Sequence, residues 1–383
     1  MTLIPAGTRF EAIPTGTPIN LRSTLVNDTD PTYTIEDLAA AIGGGGGLEG
    51  DSFLYVEANS GSELSNGSVL LSVVQQAINT EPYGSPLSAT NRITVIVPPG
   101  VYDLNTSPLT LTTPFVNVVS LTGNRDVIIK TSPFTLSAVI IGNNVKVVGI
   151  KTDKKITIES NANVEVENCQ AGFDSFGAEG GGLFGTFKNC EALGRSFGYG
   201  NNSNIQATFI DCKSGSQSFG KGENIFIINA TFTNCTAGGS SFGNGSNVNI
   251  DVTAKFNNCT AGTGSFGYGV AAYVVGTFNN CIAGAASFGA GPNSANSVIC
   301  DGIFNNCKAK ATSFGAGGTQ ALIYDNAILT NCTAGLNSFG GANGNITGVL
   351  IGCRLTTGTF NTVSGTGRTR FCLDGTYTIN NQG

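Results

Sequence analysis

Cysteine is the residue type with the widest chemical scope in this chain, which has 11 cysteines and no histidine. Thiols can form disulfides, ligate metals or act as nucleophiles. The chain has neither a CxxC pair nor short ligand spacings, so the sequence predicts no metal site and no cofactor. Nine of the cysteines recur at one position of a repeat, and Cys300 lies outside it. We expect reduced packing thiols at this position, with disulfides as the alternative.

Paired carboxylates are the second arrangement that could do chemistry, because glycosidases hold two of them roughly 5–9.5 Å apart. The acidic residues here occupy different places in their repeats, so stacked repeats would not bring them together. The nearest pairs are Asp174 with Glu179 and Glu165 with Glu167, which we interpret as solvated surface charge. Without histidine there is no Ser-His-Asp triad, and the sequence predicts no catalytic residue and no enzyme.

The repeated cysteines are tied to phenylalanines, since each Cys precedes a Phe by seven residues. Steps between successive cysteines vary from 21 to 26 residues, so all length variation lies between one Phe and the next Cys. A repeat with one rigid and one variable arm is typical of a solenoid. The cysteines are Cys169, Cys190, Cys212, Cys235, Cys259, Cys281, Cys307, Cys332 and Cys353. The phenylalanines are Phe176, Phe197, Phe219, Phe242, Phe266, Phe288, Phe314, Phe339 and, in a degenerate last repeat, Phe360.

The repeat unit F-x-N-C-x-A-G-x-x-S-F-G-x-G assigns a structural role to most of its positions. Asn tolerates left-handed backbone geometry, so the Asn before each Cys predicts a sharp bend between strands. We expect the Phe and Cys side chains to point into the core, and the Gly after each Phe to allow positive φ or close contact between coils. The bend positions are Asn168, Asn189, Asn234, Asn258, Asn280, Asn306 and Asn331, with Asp211 once.

A helix and two strands precede the repeats. Residues 67–79 place Leu70, Val73 and Ala77 on one apolar face, and the segment IVPPGVYDL follows at residues 96–104. The helix and this segment resemble the start of the pectin-lyase-like β-helices, a group that includes bacteriophage tailspikes and polysaccharide-degrading enzymes. The resemblance implies an all-β, right-handed, single-stranded parallel β-helix with three strands per coil, whose open end the helix caps.

Four segments are expected along the chain. Residues 1–47 contain four prolines and end in Gly43–Gly47, which predicts an anchoring arm with a short helix from Thr34 to Ile42 and a flexible tether; a disordered tail is the alternative. Residues 48–107 are the helix-capped start of the solenoid. Residues 108–353 are the parallel β-helix, with short β runs such as Val145–Ile150 in its first coils. Residues 354–383 are a final coil or cap.

The composition of the chain restricts the classes of partner that we expect it to bind. Charged residues are 11% and the net charge is −6, without a basic patch, so nucleic acid is not expected as a partner. The N-terminus lacks a basic and apolar leader, and no apolar run approaches about 20 residues. We therefore expect no export signal and no membrane insertion.

The resemblance to tailspikes implies a non-enzymatic structural appendage of a bacteriophage virion, such as a fibre, spike or decoration protein, assembled in the host cytoplasm. Other virion proteins would bind residues 1–47, and the sequence leaves open a homotrimer and a host surface glycan or protein as further partners. A polysaccharide depolymerase is one alternative function. An ice- or surface-binding solenoid is another, for which Thr236, Thr260 and Thr333 form an incomplete column.

Overall fold

The computed structural model describes residues 52–57, 61–79, 86–177, 181–292, 297–316, 321–340, 345–360, 367–374 and 379–382. The expected arm at residues 1–47 and its short helix lie outside the described residues. By contacts the chain divides into two compact units. Unit 1 comprises the described residues up to Ile156 together with Asn163–Gly172, and unit 2 comprises residues 157–162 and the chain from Phe173 onward.

Both units are built from parallel strands wound as a right-handed β-helix, and together they contain about 11 turns. The expected fold class, all-β with one helix near the N-terminus, is therefore confirmed. Each turn places one strand above the equivalent strand of the previous turn, and the backbone hydrogen bonds run along the solenoid axis within each unit.

The helix Glu63–Asn79 begins four residues earlier than the apolar pattern predicts. Ser62 precedes it, and the Ser62 hydroxyl accepts the N–H of Ser65 at 3.5 Å. The buried face of the helix includes Leu70, Val73, Val74 and Ala77 and packs on the first strands of unit 1. Gly67 is required on this face, because a Cβ there would lie 2.0 Å from the carbonyl oxygen of Asp103.

Three ladders of parallel strands form the sides of unit 1. The first contains Ser52–Tyr55, Ile93–Val97, Val116–Ser120, Val145–Val148 and Asn163–Glu167. The second contains Gly100–Asp103, Val127–Lys130, Ile150–Lys151 and Gln170–Ala171. The third pairs Leu109–Leu111 with Ser137–Ile141, and the strand Lys155–Ile158 spans the sequence boundary between the units.

The expected β run Val145–Ile150 is divided by a corner at Gly149. This glycine has φ +79°, and a Cβ there would lie 2.3 Å from the carbonyl oxygen of Asn124. Only glycine accepts both the left-handed backbone and the close approach of the neighbouring coil. The chain therefore turns from the first ladder to the second at this residue.

Unit 2 also has three sides, and its ladders are numbered within the unit. Its first ladder contains Gly182–Lys188, Asn204–Ile210, Ile225–Ile227, Asn244–Ile250, Tyr268–Val274, Ser297–Cys300, Ala321–Ile323 and Asn345–Ile346, with Lys221–Gly222 paired to the start of Asn244–Ile250. Its second ladder contains Thr231–Thr233, Lys255–Asn257, Thr277–Asn279, Ile303–Asn305, Ile328–Thr330, Val349–Ile351 and Arg368–Leu373. The strand Ile379–Gln382 closes this ladder in antiparallel fashion.

The third side of unit 2 is short. It contains Glu191–Ala192, Lys213–Ser214, Thr333–Ala334 and Arg354–Leu355, and in the coils between them it shrinks to single bridging residues such as Thr236 and Thr260. Left-handed residues limit its length, as shown by Asn234 at φ 55° and Ser240 at φ 56° on either side of Thr236. An extended strand cannot continue through a left-handed residue.

Candidate functional site

The repeated thiols lie inside the solenoid. All 11 cysteines are free and buried. Nine of the thiols donate to a carbonyl of the preceding coil, for example Cys212 Sγ to the Phe187 carbonyl at 3.3 Å and Cys307 Sγ to the Phe278 carbonyl at 3.4 Å. Cys372 makes the same contact with the Leu350 carbonyl at 3.5 Å and extends the set by one coil. Cys300 instead faces inward from the first ladder, in register with Val274 and Ile323.

Burial favours the protonated form of three of these thiols, Cys169, Cys300 and Cys332. It raises the pKa of the Cys169 thiol to about 12, and it also raises the pKa of Cys300 and Cys332. A thiolate is the reactive and metal-binding form of cysteine. The part of the chain that the structure describes contains no group of three or more Cys, Asp or Glu residues able to hold a metal ion.

Two columns of phenylalanine rings fill the core of unit 2. In one, Phe197, Phe219 and Phe242 stack with centroids 4.7 Å apart. In the other, Phe232 stacks on Phe256 at 4.7 Å. Rings of the two columns meet edge to face, as Phe219 and Phe232 do at 5.8 Å and 88°. Each such ring pair contributes about 0.5–1.5 kcal/mol beyond area burial, so the columns bind successive coils together.

The first column contains Phe176, Phe197, Phe219, Phe242, Phe266, Phe288, Phe314 and Phe339, all fully buried. The second contains Phe187, Phe209, Phe232, Phe256, Phe278 and Phe304, which are also fully buried. Phe360 ends the first column with its ring tilted by 32° against Phe339.

The phenylalanines of the first column have left-handed backbone conformations, which the sequence did not predict. Phe197, Phe219 and Phe242 have φ between 53° and 55°. Positive φ is rare for a bulky side chain and costs about 1–2 kcal/mol. The glycine after each Phe is also special: Gly198 has φ +81°, whereas a Cβ on Gly177 would lie 2.5 Å from the backbone nitrogen of Gly198. The aromatic side chain therefore points inward from a tight corner.

The asparagines before the cysteines form a side-chain ladder at the bend. Asn258 Nδ2 donates to Asn234 Oδ1 at 3.1 Å, and Asn280 Nδ2 donates to Asn258 Oδ1 at 3.2 Å. The pattern begins at Asp211, whose carboxylate accepts from Asn234 at 3.0 Å. All bend residues from Asn168 to Asn331 have left-handed φ, between 49° and 55°. These amides therefore hold the coils in register at the exposed corner.

The serine before each Phe forms a second, buried ladder, to which the sequence analysis gave no role. The N–H of Ser196 donates to Ser218 Oγ at 3.2 Å, and the N–H of Ser218 donates to Ser241 Oγ at 3.1 Å. The Ser196 hydroxyl in turn donates to the Gly194 carbonyl at 2.8 Å. The ladder runs through Ser175, Ser196, Ser218, Ser241, Ser265, Ser287, Ser313 and Ser338. The recurrence of Ser in the repeat was the available signal.

Two of the four acidic residues singled out from the sequence make ion pairs. Asp174 contacts Arg195 at 2.6 Å, and this hydrogen bond raises the pKa of the Arg195 guanidinium. Glu165 contacts Lys146 at 3.5 Å, and Glu167 lies two residues further along the same strand. Glu179 lies outside the described residues. The carboxylates of Asp174 and Glu165 therefore each face a cationic side chain rather than a second carboxylate.

A shallow groove lies on the outer face of the first ladder of unit 2. Phe226, Asn249 and Tyr273 lie on successive coils in register, with both aromatic rings about two-fifths exposed. Asn247 and Ala271 line the groove beside them. Asn249 Oδ1 is buried without a hydrogen-bond partner among the described residues. Two aromatic faces flanking an amide can bind a ring-shaped polar ligand.

The groove residues share one repeat position, because Phe226, Asn249 and Tyr273 each lie 14 residues after the preceding repeat Cys. The pairing of successive coils keeps this position in register. The constant spacing was therefore an available signal, but three different residue types occupy the position and no repeated residue marks it.

The comparisons with known proteins give no relatives: no family model, no curated protein and no solved structure matches the chain. The fold therefore stands on the strand pairing and stacked side chains of the structure itself. Among the described residues, no helix is long and apolar enough to cross a membrane.

Proposed function

We propose that the chain is a non-enzymatic structural appendage of a bacteriophage particle: a fibre, spike or decoration protein of the tailspike-like, pectin-lyase-like type. Residues 1–47 attach it to other virion proteins, and the solenoid contacts the host surface. The protein is assembled in the host cytoplasm and resides on the virion.

The stacking of unit 2 is the observation that supports this proposal most strongly. Thiols, phenyl rings, serines and asparagines each repeat along the same axis with one set of contacts per coil. A fold in which every coil is held by several parallel columns resists bending and local opening, because each coil is fixed by both neighbours. This rigidity suits an element that must hold a binding surface away from a particle.

The acidic groups also favour a role without catalysis. Asp174 is held by Arg195 and Glu165 by Lys146. A retaining or inverting glycosidase instead requires two carboxylates facing one bond. The alternative of a polysaccharide depolymerase would be established by turnover of a capsular or cell-wall glycan that is lost in Asp174→Asn.

The groove between Phe226 and Tyr273 supports contact with a host surface glycan. Aromatic faces stack on the apolar faces of sugar rings, and Asn249 supplies an amide between them. We expect Phe226→Ala and Tyr273→Ala each to weaken binding of a host glycan preparation by about tenfold, which is about 1.4 kcal/mol. Tyr324→Ala, which removes another partly exposed aromatic ring of unit 2, is the matched control. Equal glycan binding by all three variants would exclude the groove as the glycan-binding site.

Reattachment tests the proposed attachment. Purified full-length protein is mixed with phage particles that lack it, and bound protein is measured after sedimentation. The proposal expects the full chain to sediment with particles and a variant lacking residues 1–47 to remain in solution with an intact fold. Failure of the full chain to attach would refute the proposal. Attachment of the shortened variant would refute the role of the arm.

A further inference from the structure

The loop between Lys130 and Ser137 in unit 1 exposes two apolar side chains to an unusual degree. Phe134 is 93% exposed and Leu136 is 87% exposed, more than any other large apolar residue described. They lie two positions apart at the tip of the loop. Nothing in the proposed groove or in the stacked columns uses them.

The backbone of this loop is anchored by hydrogen bonds within the protein. The N–H of Thr135 donates to the Ser132 carbonyl at 2.9 Å, which closes a turn around Pro133 and Phe134. The N–H of Ser132 donates to the Asn105 carbonyl at 2.5 Å in the preceding coil. Pro133 has no N–H to satisfy, and its carbonyl accepts from Lys154 Nζ at 3.4 Å. The free-energy cost of transferring the loop tip out of water is low, because several of its polar backbone groups already have hydrogen-bond partners within the protein.

Three lysines belong to the loop's own strand, to the adjacent strand or to the turn that contacts the loop. Lys130 ends the strand that leads into the loop, Lys151 lies on the adjacent strand in register with Ile128, and Lys154 contacts the loop directly. Glu63, in an ion pair with Lys130, and the neighbouring Asp153 offset part of this charge. The local arrangement is still an apolar tip beside cations, in a chain whose net charge is −6.

We propose that this loop binds the surface of an anionic lipid bilayer. Phe134 and Leu136 would enter the headgroup region, while Lys151 and Lys154 would contact lipid phosphates. A bilayer accepts protruding side chains without a complementary pocket, which suits a convex tip better than a protein partner would. For this loop, the proposal replaces the expectation that the chain makes no membrane insertion; the rest of the protein stays outside the bilayer.

The inference goes beyond the proposed function, because it depends on unit 1 alone and not on attachment to a particle. Its test uses the absence of tryptophan from the chain. Phe134→Trp creates a single fluorescent reporter at the tip of the loop. Far-UV circular dichroism of this full-length variant verifies that the fold is unchanged.

Vesicles with one anionic headgroup type, phosphatidylglycerol mixed with phosphatidylcholine, are titrated into the Phe134→Trp protein. We expect a blue shift of the emission, with half-saturation at about tenfold higher lipid for vesicles of phosphatidylcholine alone. Adding Leu136→Ser to the same protein should weaken the response by at least about tenfold, since the exposed apolar side chain that would enter the bilayer is lost. Phe371→Trp is the matched control, since Phe371 is 74% exposed in unit 2, and should show no shift.

Three results would overturn the proposal. One is unchanged emission of Phe134→Trp at saturating anionic lipid. Another is an equal shift of Phe371→Trp, which would indicate general adhesion to vesicles. The third is emission that is already blue-shifted without vesicles, which would show that another segment or a second copy of the chain covers the loop. None of these results bears on attachment through residues 1–47, so the two proposals can fail independently.

Discussion

The ring of Phe197 stacks on the ring of Phe219 with centroids 4.7 Å apart and planes within 1°, although both residues have left-handed backbones with φ near 55°. The ring stacking and the unfavourable backbone conformation have the same structural origin. A left-handed corner turns each ring into the core, and the identical corner in the next coil places the next ring directly on it. The energy of ring burial and stacking offsets the backbone cost.

Phe219→Ala tests how much the stacked column of phenylalanine rings contributes to stability at the middle of the column. The substitution removes a fully buried ring that contacts two stacked neighbours and leaves a cavity. We expect the free energy of unfolding to fall by about 3–5 kcal/mol, measured by urea unfolding. Phe226→Ala removes a ring of the same size that is 40% exposed, and should cost about 1 kcal/mol or less. Equal losses in the two variants would contradict the role of the column.

Ser218→Ala tests the buried serine ladder. It removes the hydroxyl that accepts the N–H of Ser196 at 3.2 Å, and leaves that buried N–H without this partner. The expected loss in the free energy of unfolding is about 1–3 kcal/mol. Ser216→Ala, at an exposed position of the same coil, serves as the control and should change stability by less than about 0.5 kcal/mol. A Ser218→Ala protein as stable as the control would show that the ladder does not hold the coils.

Gly215→Ala tests how closely the coils approach on the third side of unit 2. A Cβ at this position would lie 1.8 Å from the carbonyl oxygen of Leu193, and backbone atoms cannot move aside without separating the coils. We expect the variant to fold poorly, with most of the protein insoluble or unfolded by circular dichroism. At Gly100 a Cβ would meet nothing closer than 3.5 Å, so Gly100→Ala should remain folded. Normal yield and stability of Gly215→Ala would contradict the close approach.

The buried thiol of Cys169 predicts a loss of stability at alkaline pH. Burial raises the pKa of Cys169 from 9.0 to about 12, so the folded state keeps a proton that the unfolded state releases. The contribution of this thiol to stability is complete below pH 9 and is lost as the pH rises toward 12. Urea midpoints measured between neutral pH and about pH 10.5 should therefore fall. Cys169→Ala should show a shallower fall, and an identical pH profile would argue against a protonated, buried Cys169.

Much of the solenoid could be predicted from the sequence, because repetition exposes positions that stack. The constant seven-residue step from Cys to Phe identified the coil, and Asn before Cys identified its bend. The left-handed conformation of Phe219 could not be predicted from the sequence. The local backbone preference of Phe disfavours positive φ, and only packing between coils compensates for this free-energy cost. The groove at Phe226 and Tyr273 was missed for another reason: both residues follow the repeat Cys by 14 residues, but the residue type at that position changes from coil to coil, so no repeated residue marks it.

The exposure of the loop at Phe134 could likewise not be predicted from sequence patterns. Its apolar residues read as part of a strand-rich region, and only the structure shows that they point away from the core. Burial, rather than residue type, decides whether such residues stabilise the fold or stay available for binding.

Sulfur positions offer the most direct measurement of the stacked solenoid. An anomalous difference map from crystals of the protein locates each sulfur without reference to the side chains around it. For the ten cysteines of unit 2 we predict one row of nine peaks, from Cys190 to Cys372, with neighbours about 4.8 Å apart, and a separate peak for Cys300 beside the row. Peaks paired at about 2.05 Å, or sulfurs scattered without a common axis, would contradict the stacked coils.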